Sequence, residues 1–193
     1  VSFSWVKGLQ SKGAVNSVTD FYRAWQAWPF EPLYCLNMTS PEEEFYTWKW
    51  ERTVHGNPGS TDTTDDWWLM HEDRLERNAD MLTRAHQAGL PVRYIELGNE
   101  LYFGVPEQAE AFPGNATTYA IASNWYASRI KARYENARVA AIATLAREDN
   151  GARRRNWNTT VVPLFDRGSI DAVTLHAYIR SSSQNVGTHQ DFA

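Results

Sequence analysis

Leu90-Pro91-Val92-Arg93-Tyr94-Ile95-Glu96-Leu97-Gly98-Asn99-Glu100 is the stretch that decides the fold. Val92 to Leu97 is a short run of apolar and β-branched residues, bounded by Gly89 and Pro91 before it and Gly98 after it, which is the pattern of a buried strand. Side chains alternate across a strand with period two, so Glu96, Gly98 and Glu100 share one face. A strand that ends in a glycine, an amide and a carboxylate carries polar chemistry at its C-terminal end.

Working outward, three more strands are expected, at 32–37 (Pro32 to Asn37), 139–144 (Val139 to Thr144) and 170–176 (Ile170 to His176). The segments between them are helical. Leu75, Ala79, Leu82 and Ala85 recur at helical spacing before the Gly89 and Pro91 stop, and Tyr119, Ala122, Tyr126 and Ile130 do the same further on. Shorter helices are expected at 19–28 and 153–164. Strands alternating with crossover helices make an α/β fold with a parallel sheet. The loop from Thr39 to Asp66, with Trp48, Trp50 and a polar run, is long for a compact domain, and such loops are usually functional.

Composition narrows the function. The 193 residues are 42% hydrophobic and 22% charged, which is ordinary globular usage. A formal net charge of -4 gives no basic footprint for a phosphate backbone, so no nucleic-acid partner is expected. Aromatic residues make up 13%, and flat apolar rings suit the C–H faces of a sugar. Cys35 is the only cysteine, excluding an internal disulfide, and reads as a small core residue. No membrane span is expected. Asn37-Met38-Thr39, Asn115-Ala116-Thr117 and Asn158-Thr159-Thr160 match the glycosylation acceptor pattern, which implies a secreted protein.

Parallel strands put all their C-terminal ends on one side. There the sequence gathers Asn37 and Thr39, then Asn99 and Glu100, then Thr144, then His176 and Tyr178, with Thr174, His176 and Tyr178 on one face. Glycoside hydrolysis requires two carboxyl groups, one of them protonated to donate to the leaving oxygen. Glu100 fits that role, with Asn99 placed to bond a sugar hydroxyl. Glu96, deeper in the strand, reads as a structural carboxylate paired with a basic side chain or hydroxyls. Asn37 and His176 are candidate substrate contacts. Trp48, Trp50, Trp67, Trp68, Tyr102 and Phe103 are candidate sugar platforms, Tyr102 first because it follows Glu100 closely. No G-x-G-x-x-G or G-x-x-x-x-G-K-[ST] run opens a helix, against a nucleotide-binding α/β protein. The histidines are scattered, and His71-Glu72 has no histidine four residues after His71, so neither a metal nor a cofactor is expected.

The Leu90–Glu100 run resembles the fourth-strand signature of the clan A glycoside hydrolases, whose Asn-Glu pair contains the acid/base. Leu36-Asn37-Met38-Thr39 and Asp171-Ala172-Val173-Thr174-Leu175-His176-Ala177-Tyr178 are similar to the third and sixth strands of the α-L-arabinofuranosidase and heparanase-like branches. The resemblance implies a (β/α)8, or TIM, barrel of which this chain holds one partial catalytic domain, about the second to sixth βα units, lacking the last strands. It implies a retaining mechanism on the O-glycosidic bonds of an oligo- or polysaccharide, with Glu100 as acid/base. Tyr178 matches the position from which clan members orient the nucleophile's neighbours. The nucleophile, a glutamate ending the seventh strand, has no counterpart, because residues 179–193 contain no Glu. The chain begins at Val1 without an initiator Met and stops at Ala193 soon after a strand-like segment, so both ends are expected to be cuts through a larger protein, and without the nucleophile this portion is expected to be inactive alone. The rival reading is a non-catalytic carbohydrate-binding barrel derived from a glycosidase.

Overall fold

A computed structural model describes residues 18–28, 30–39, 65–104, 112, 116–147 and 150–177. Helix α1 (Val18–Ala27) leads into β1 (Leu33–Leu36). Then follow α2 (Asp65–Gln87), β2 (Tyr94–Leu97), α3 (Ala116–Arg133), β3 (Arg138–Ile142), α4 (Ala152–Val161) and β4 (Ala172–Thr174). Two 3-10 turns complete the order, at Leu101–Phe103 and Val162–Leu164. Each strand expected from the sequence is present: β1 and β4 are trimmed at both ends, β2 begins two residues later than expected, and β3 begins one residue earlier, at Arg138, and ends at Ile142. The last expected helix stops at Val161, where Pro163 enters a 3-10 turn instead of continuing the α-helical ladder. The expected loop overlaps α2 at Asp65 and Asp66, and its residues 40–64 lie outside the described residues.

The four strands form one sheet in the order β1-β2-β3-β4, every pair parallel. Among the described residues, sequential strands are neighbours, without the reversal of strand order that defines a doubly wound sheet. One sheet face carries Tyr34, Leu36, Ile95, Leu97, Val139 and Ala141, and these join a single apolar cluster with residues of α2 and α3. Helix α2 contributes Leu75, Leu82 and Ala85, and α3 contributes Tyr119, Ala122, Tyr126 and Ile130, the positions marked by helical periodicity. Gly89 ends α2 with φ 91°, while Leu90 N–H donates to Ala85 C=O at 3.0 Å, so the chain turns into β2 through a left-handed glycine.

The other face curves. Glu96 on β2 accepts a hydrogen bond from the Thr174 hydroxyl on β4, although β3 runs between them. In a flat sheet strands two apart are separated by roughly 9.5 Å, too far for a threonine side chain to bridge even to a glutamate's tip without bending. This face is therefore concave, and Ala140 on β3, register partner of both Glu96 and Ala172, presents only a methyl group there.

Candidate active site

The site forms where β2 leaves the sheet. Gly98 has φ 87°, and a Cβ on it would stand 2.6 Å from Leu101 Cδ1 and 3.3 Å from Ile142 Cδ1, so only glycine fits. Its N–H still pairs with Leu36 C=O at 3.0 Å, and its carbonyl accepts from the Cys35 thiol at 3.0 Å. Burial, reinforced by the charge of Glu96, pushes that thiol up to about 12, which makes Cys35 a neutral hydrogen-bond donor and no nucleophile.

Two residues on, Glu100 takes φ 50° and ψ 34°. It is the only non-glycine with positive φ among the described residues. A left-handed residue with a Cβ costs on the order of 1 kcal/mol or more, and such strain concentrates at functional positions. The turn aims the Glu100 carboxyl at the concave face. Its Oε1 accepts from Tyr102 Oη at 3.2 Å and stands 3.4 Å from His176 Nδ1. The opposite ring nitrogen, His176 Nε2, lies 3.1 Å from Glu96 Oε1. Thus Glu96, Glu100, Thr174 and His176 converge from two strands separated by a third.

Aromatic side chains buttress the turn from beneath. Tyr119 on α3 donates its hydroxyl to Leu97 C=O at 2.9 Å and accepts from Ile142 N–H at 2.8 Å, tying together the ends of β2 and β3. Complete burial drives its phenol far above the usual tyrosine range, so it stays protonated. Trp157 on α4 donates Nε1–H to Ile142 C=O at 3.0 Å, and its ring lies 5.1 Å from that of Tyr119. Asn158 beside it accepts from Thr144 N–H at 2.9 Å and donates to Thr144 C=O at 2.8 Å, anchoring α4 to the end of β3. Both ends of the half-buried Asn158 amide are thus engaged.

The other sequence candidates fall in different places. Asn99 is exposed beside Glu100, free of side-chain hydrogen bonds to described residues. Asn37 turns its side-chain oxygen onto Thr39, accepting from the Thr39 N–H at 3.0 Å and hydroxyl at 3.1 Å. That is the turn-capping geometry of an asparagine at a strand end. Tyr102 is 1% exposed, its ring enclosed by Phe103, Trp157 and the Arg154 guanidinium, so no face is left for a sugar and only its hydroxyl reaches the site. The exposed ring in this turn is Phe103 instead, at 51%. Trp68 packs edge-on against Trp125 between α2 and α3, in the helix layer. Tyr178, Trp48, Trp50 and the Trp67 side chain lie outside the described residues.

Sequence reasoning placed Thr174 and His176 on one face and Glu96 with a basic side chain or hydroxyls, without naming Thr174 and His176 as those partners. The available signal was Ala140, a small residue in the middle of a strand and the register partner of Glu96. It also ranked Tyr102 above Phe103, because proximity along the chain says nothing about which of two adjacent rings turns inward.

No family model matches the chain, and comparison with curated proteins returns no match. Among solved structures, the chain is similar to a family 51 α-L-arabinofuranosidase from Bifidobacterium longum, with 19% identity and a TM-score of 0.44 over 84% of this chain. The chain spans 28% of the length of that enzyme.

Proposed function

We propose that this chain carries the acid/base half of a retaining glycoside hydrolase site, acting on O-glycosidic bonds of an oligo- or polysaccharide. The observation that carries the proposal is the placement of Glu100. It ends a central parallel strand in a strained left-handed turn, with its carboxyl bonded by Tyr102 and approached by His176 on the concave face, and with Asn99 exposed alongside. Glu100 donates its proton to the departing glycosidic oxygen and, as the carboxylate, takes a proton from the incoming water. Asn99 bonds a hydroxyl of the same sugar, and Phe103 supplies an apolar ring at the rim.

The nucleophile is assigned to a residue outside this sequence, and the sheet to part of a (β/α)8 barrel spanning about the second to sixth units. Unreversed strand order and concave curvature both support that assignment. Tyr178 belongs to the same reading as the residue that orients the nucleophile's neighbours. The sequon at Asn115 supports action outside the cell.

The test is Glu100→Ala in the full-length protein. Turnover of substrates with poor leaving groups falls by about 10²-fold or more, on the scale of lost general acid catalysis. Added azide restores activity and yields a glycosyl azide of retained configuration. Unchanged turnover rejects the role of Glu100, and glycan binding without any hydrolysis by the wild type rejects the enzyme reading in favour of a binding protein.

A further inference from the structure

β2 and β3 stop pairing just before the chain turns toward Glu100, and the phase of their ladder shows what takes over. In a parallel ladder each bonding residue gives its N–H to one partner and its C=O to the next, so the bonds recur with period two. Arg138 N–H donates to Arg93 C=O at 2.6 Å, which fixes the phase. With Tyr94 opposite Arg138 and Leu97 opposite Ala141, the series runs on through Ala140 N–H to Ile95 C=O and then Ile142 N–H to Leu97 C=O. One step further it would join Asn99 to Ile142 and Thr144, and Asn99 and Glu100 would continue as extended strand.

Side chains from the helix layer hold those positions on β3 instead. The Tyr119 hydroxyl accepts from Ile142 N–H at 2.8 Å and donates to Leu97 C=O at 2.9 Å, so it bonds both partners of the last step. Trp157 Nε1–H donates to Ile142 C=O at 3.0 Å, and the Asn158 amide takes both backbone groups of Thr144. The groups of Ile142 and Thr144 that face β2 are thereby satisfied by side chains, and none is left buried without a partner. On the outer sides pairing goes on, with Gly98 N–H donating to Leu36 C=O on β1 and Ala143 N–H to Thr174 C=O on β4. Among the described residues the sheet therefore opens between β2 and β3, at the end that carries Glu100.

We propose that Tyr119, assisted by Trp157 and Asn158, is a positioning residue that unzips β3 from β2 at Leu97 and so frees Asn99 and Glu100 for the left-handed turn that aims the carboxyl. This rests on Glu100 being the acid/base. Tyr119 acts through the Leu97 backbone, three residues before Glu100. A phenylalanine in its place leaves a buried N–H and a buried C=O facing each other, and closing the ladder is the way both are satisfied.

The experiment compares the wild type, Tyr119→Phe and Tyr126→Phe in the full-length protein, by crystal structure and by kinetics on substrates with poor leaving groups. Tyr126 is the control: it is as fully buried on the same helix, but its hydroxyl donates to His71 C=O in the helix layer. In Tyr119→Phe, Ile142 N–H bonds Leu97 C=O directly, Glu100 leaves its φ of 50°, and kcat falls by about tenfold or more while KM changes less than about twofold. Tyr126→Phe keeps both the turn and kcat. A water in place of the lost Tyr119 hydroxyl, with Glu100 unmoved, overturns the proposal, as does an equal loss of kcat in the two variants. If Tyr119→Phe does not fold, the wild-type crystal structure decides: a direct bond from Ile142 N–H to Leu97 C=O overturns the proposal, and the hydroxyl alone between them upholds it. The crystal structures are independent of turnover. A displaced Glu100 with kcat unchanged, or in a protein that cleaves no glycoside, leaves the role of Tyr119 standing and removes the acid/base reading.

Discussion

Ala140 on β3 is the register partner of Glu96 on β2, and its methyl group is what the strand places beside that buried carboxylate. The hydrogen bond between Glu96 and Thr174 passes over β3 between Ala140, partner of Glu96, and Ile142, partner of Thr174, so the small side chain at 140 leaves the room through which β2 and β4 meet.

Ala140→Leu should therefore wedge the site apart. Ala140 is already 9% exposed in a closed environment, and extra carbons there must displace Glu96 or Thr174. Overpacking of this kind costs about 1–3 kcal/mol. Denaturant unfolding should show that loss, whereas Ala140→Gly should leave the Glu96 to Thr174 contact in place. Wild-type stability in Ala140→Leu would mean that the concave face has room to spare and that curvature is not what brings the two strands together.

The strain at Glu100 is separable from its chemistry. Glu100→Ala and Glu100→Gly both remove the carboxyl, but only glycine is at ease at φ 50°. A left-handed non-glycine residue costs roughly 1–2 kcal/mol, and part of that gain is offset by the greater freedom of glycine in the unfolded chain. Glu100→Gly should be the more stable of the two by about 0.5–1 kcal/mol in equilibrium unfolding. Equal stabilities would show that the turn is relaxed and that its conformation says nothing about function.

The strands and helices were legible because each rests on a local period. Leu75, Ala79, Leu82 and Ala85 repeat as a helix must, and all four are buried. The parity of β2 was legible for the same reason, since alternation alone puts Glu96 and Glu100 on one side of the sheet. What was not legible depends on contacts between segments distant in the chain. Glu96 and His176 are 80 residues apart, and nothing local says that β4 bends far enough to bring the ring between two carboxyl groups. Arg154 lies over both adjacent rings, 5.0 Å from Tyr102 and 4.9 Å from Phe103, and the contact that separates them is with buried Trp157, which meets Tyr102 edge-on at 6.2 Å and depends on how α4 docks. Asn37 and Asn158 gave a pattern that fits a glycosylation signal and a backbone cap equally well. In the structure the amide of each bonds to backbone of its own surroundings.

Acid should weaken the sheet at the opposite end from the active face, and the effect has a definite sign. Burial alone would raise the Asp171 carboxyl, but hydrogen bonds from Lys131, the Val139 N–H and Arg138 more than offset it and hold it below the usual aspartate range. Lys131 Nζ stands 2.9 Å away and Arg138 Nη1 3.2 Å, so one carboxylate joins α3, β3 and the start of β4. Because the folded-state value lies below the unfolded one, near 3.9, this contribution is fully present above about pH 4–5 and is lost as pH falls through the folded value. Asp171→Asn keeps the shape and an acceptor for Val139 but has no charge to lose. It should be less stable than the wild type at neutral pH, with the difference closing as pH is lowered towards about 2. Asp166, also held low by the Ser169 hydroxyl and the Gly168 N–H, is present in both proteins and cancels from the comparison. Urea titrations of the two proteins from pH 7 downward measure the difference directly. Parallel stability curves would mean that Asp171 carries no linked proton, and that β3 and β4 are joined by their backbone ladder alone.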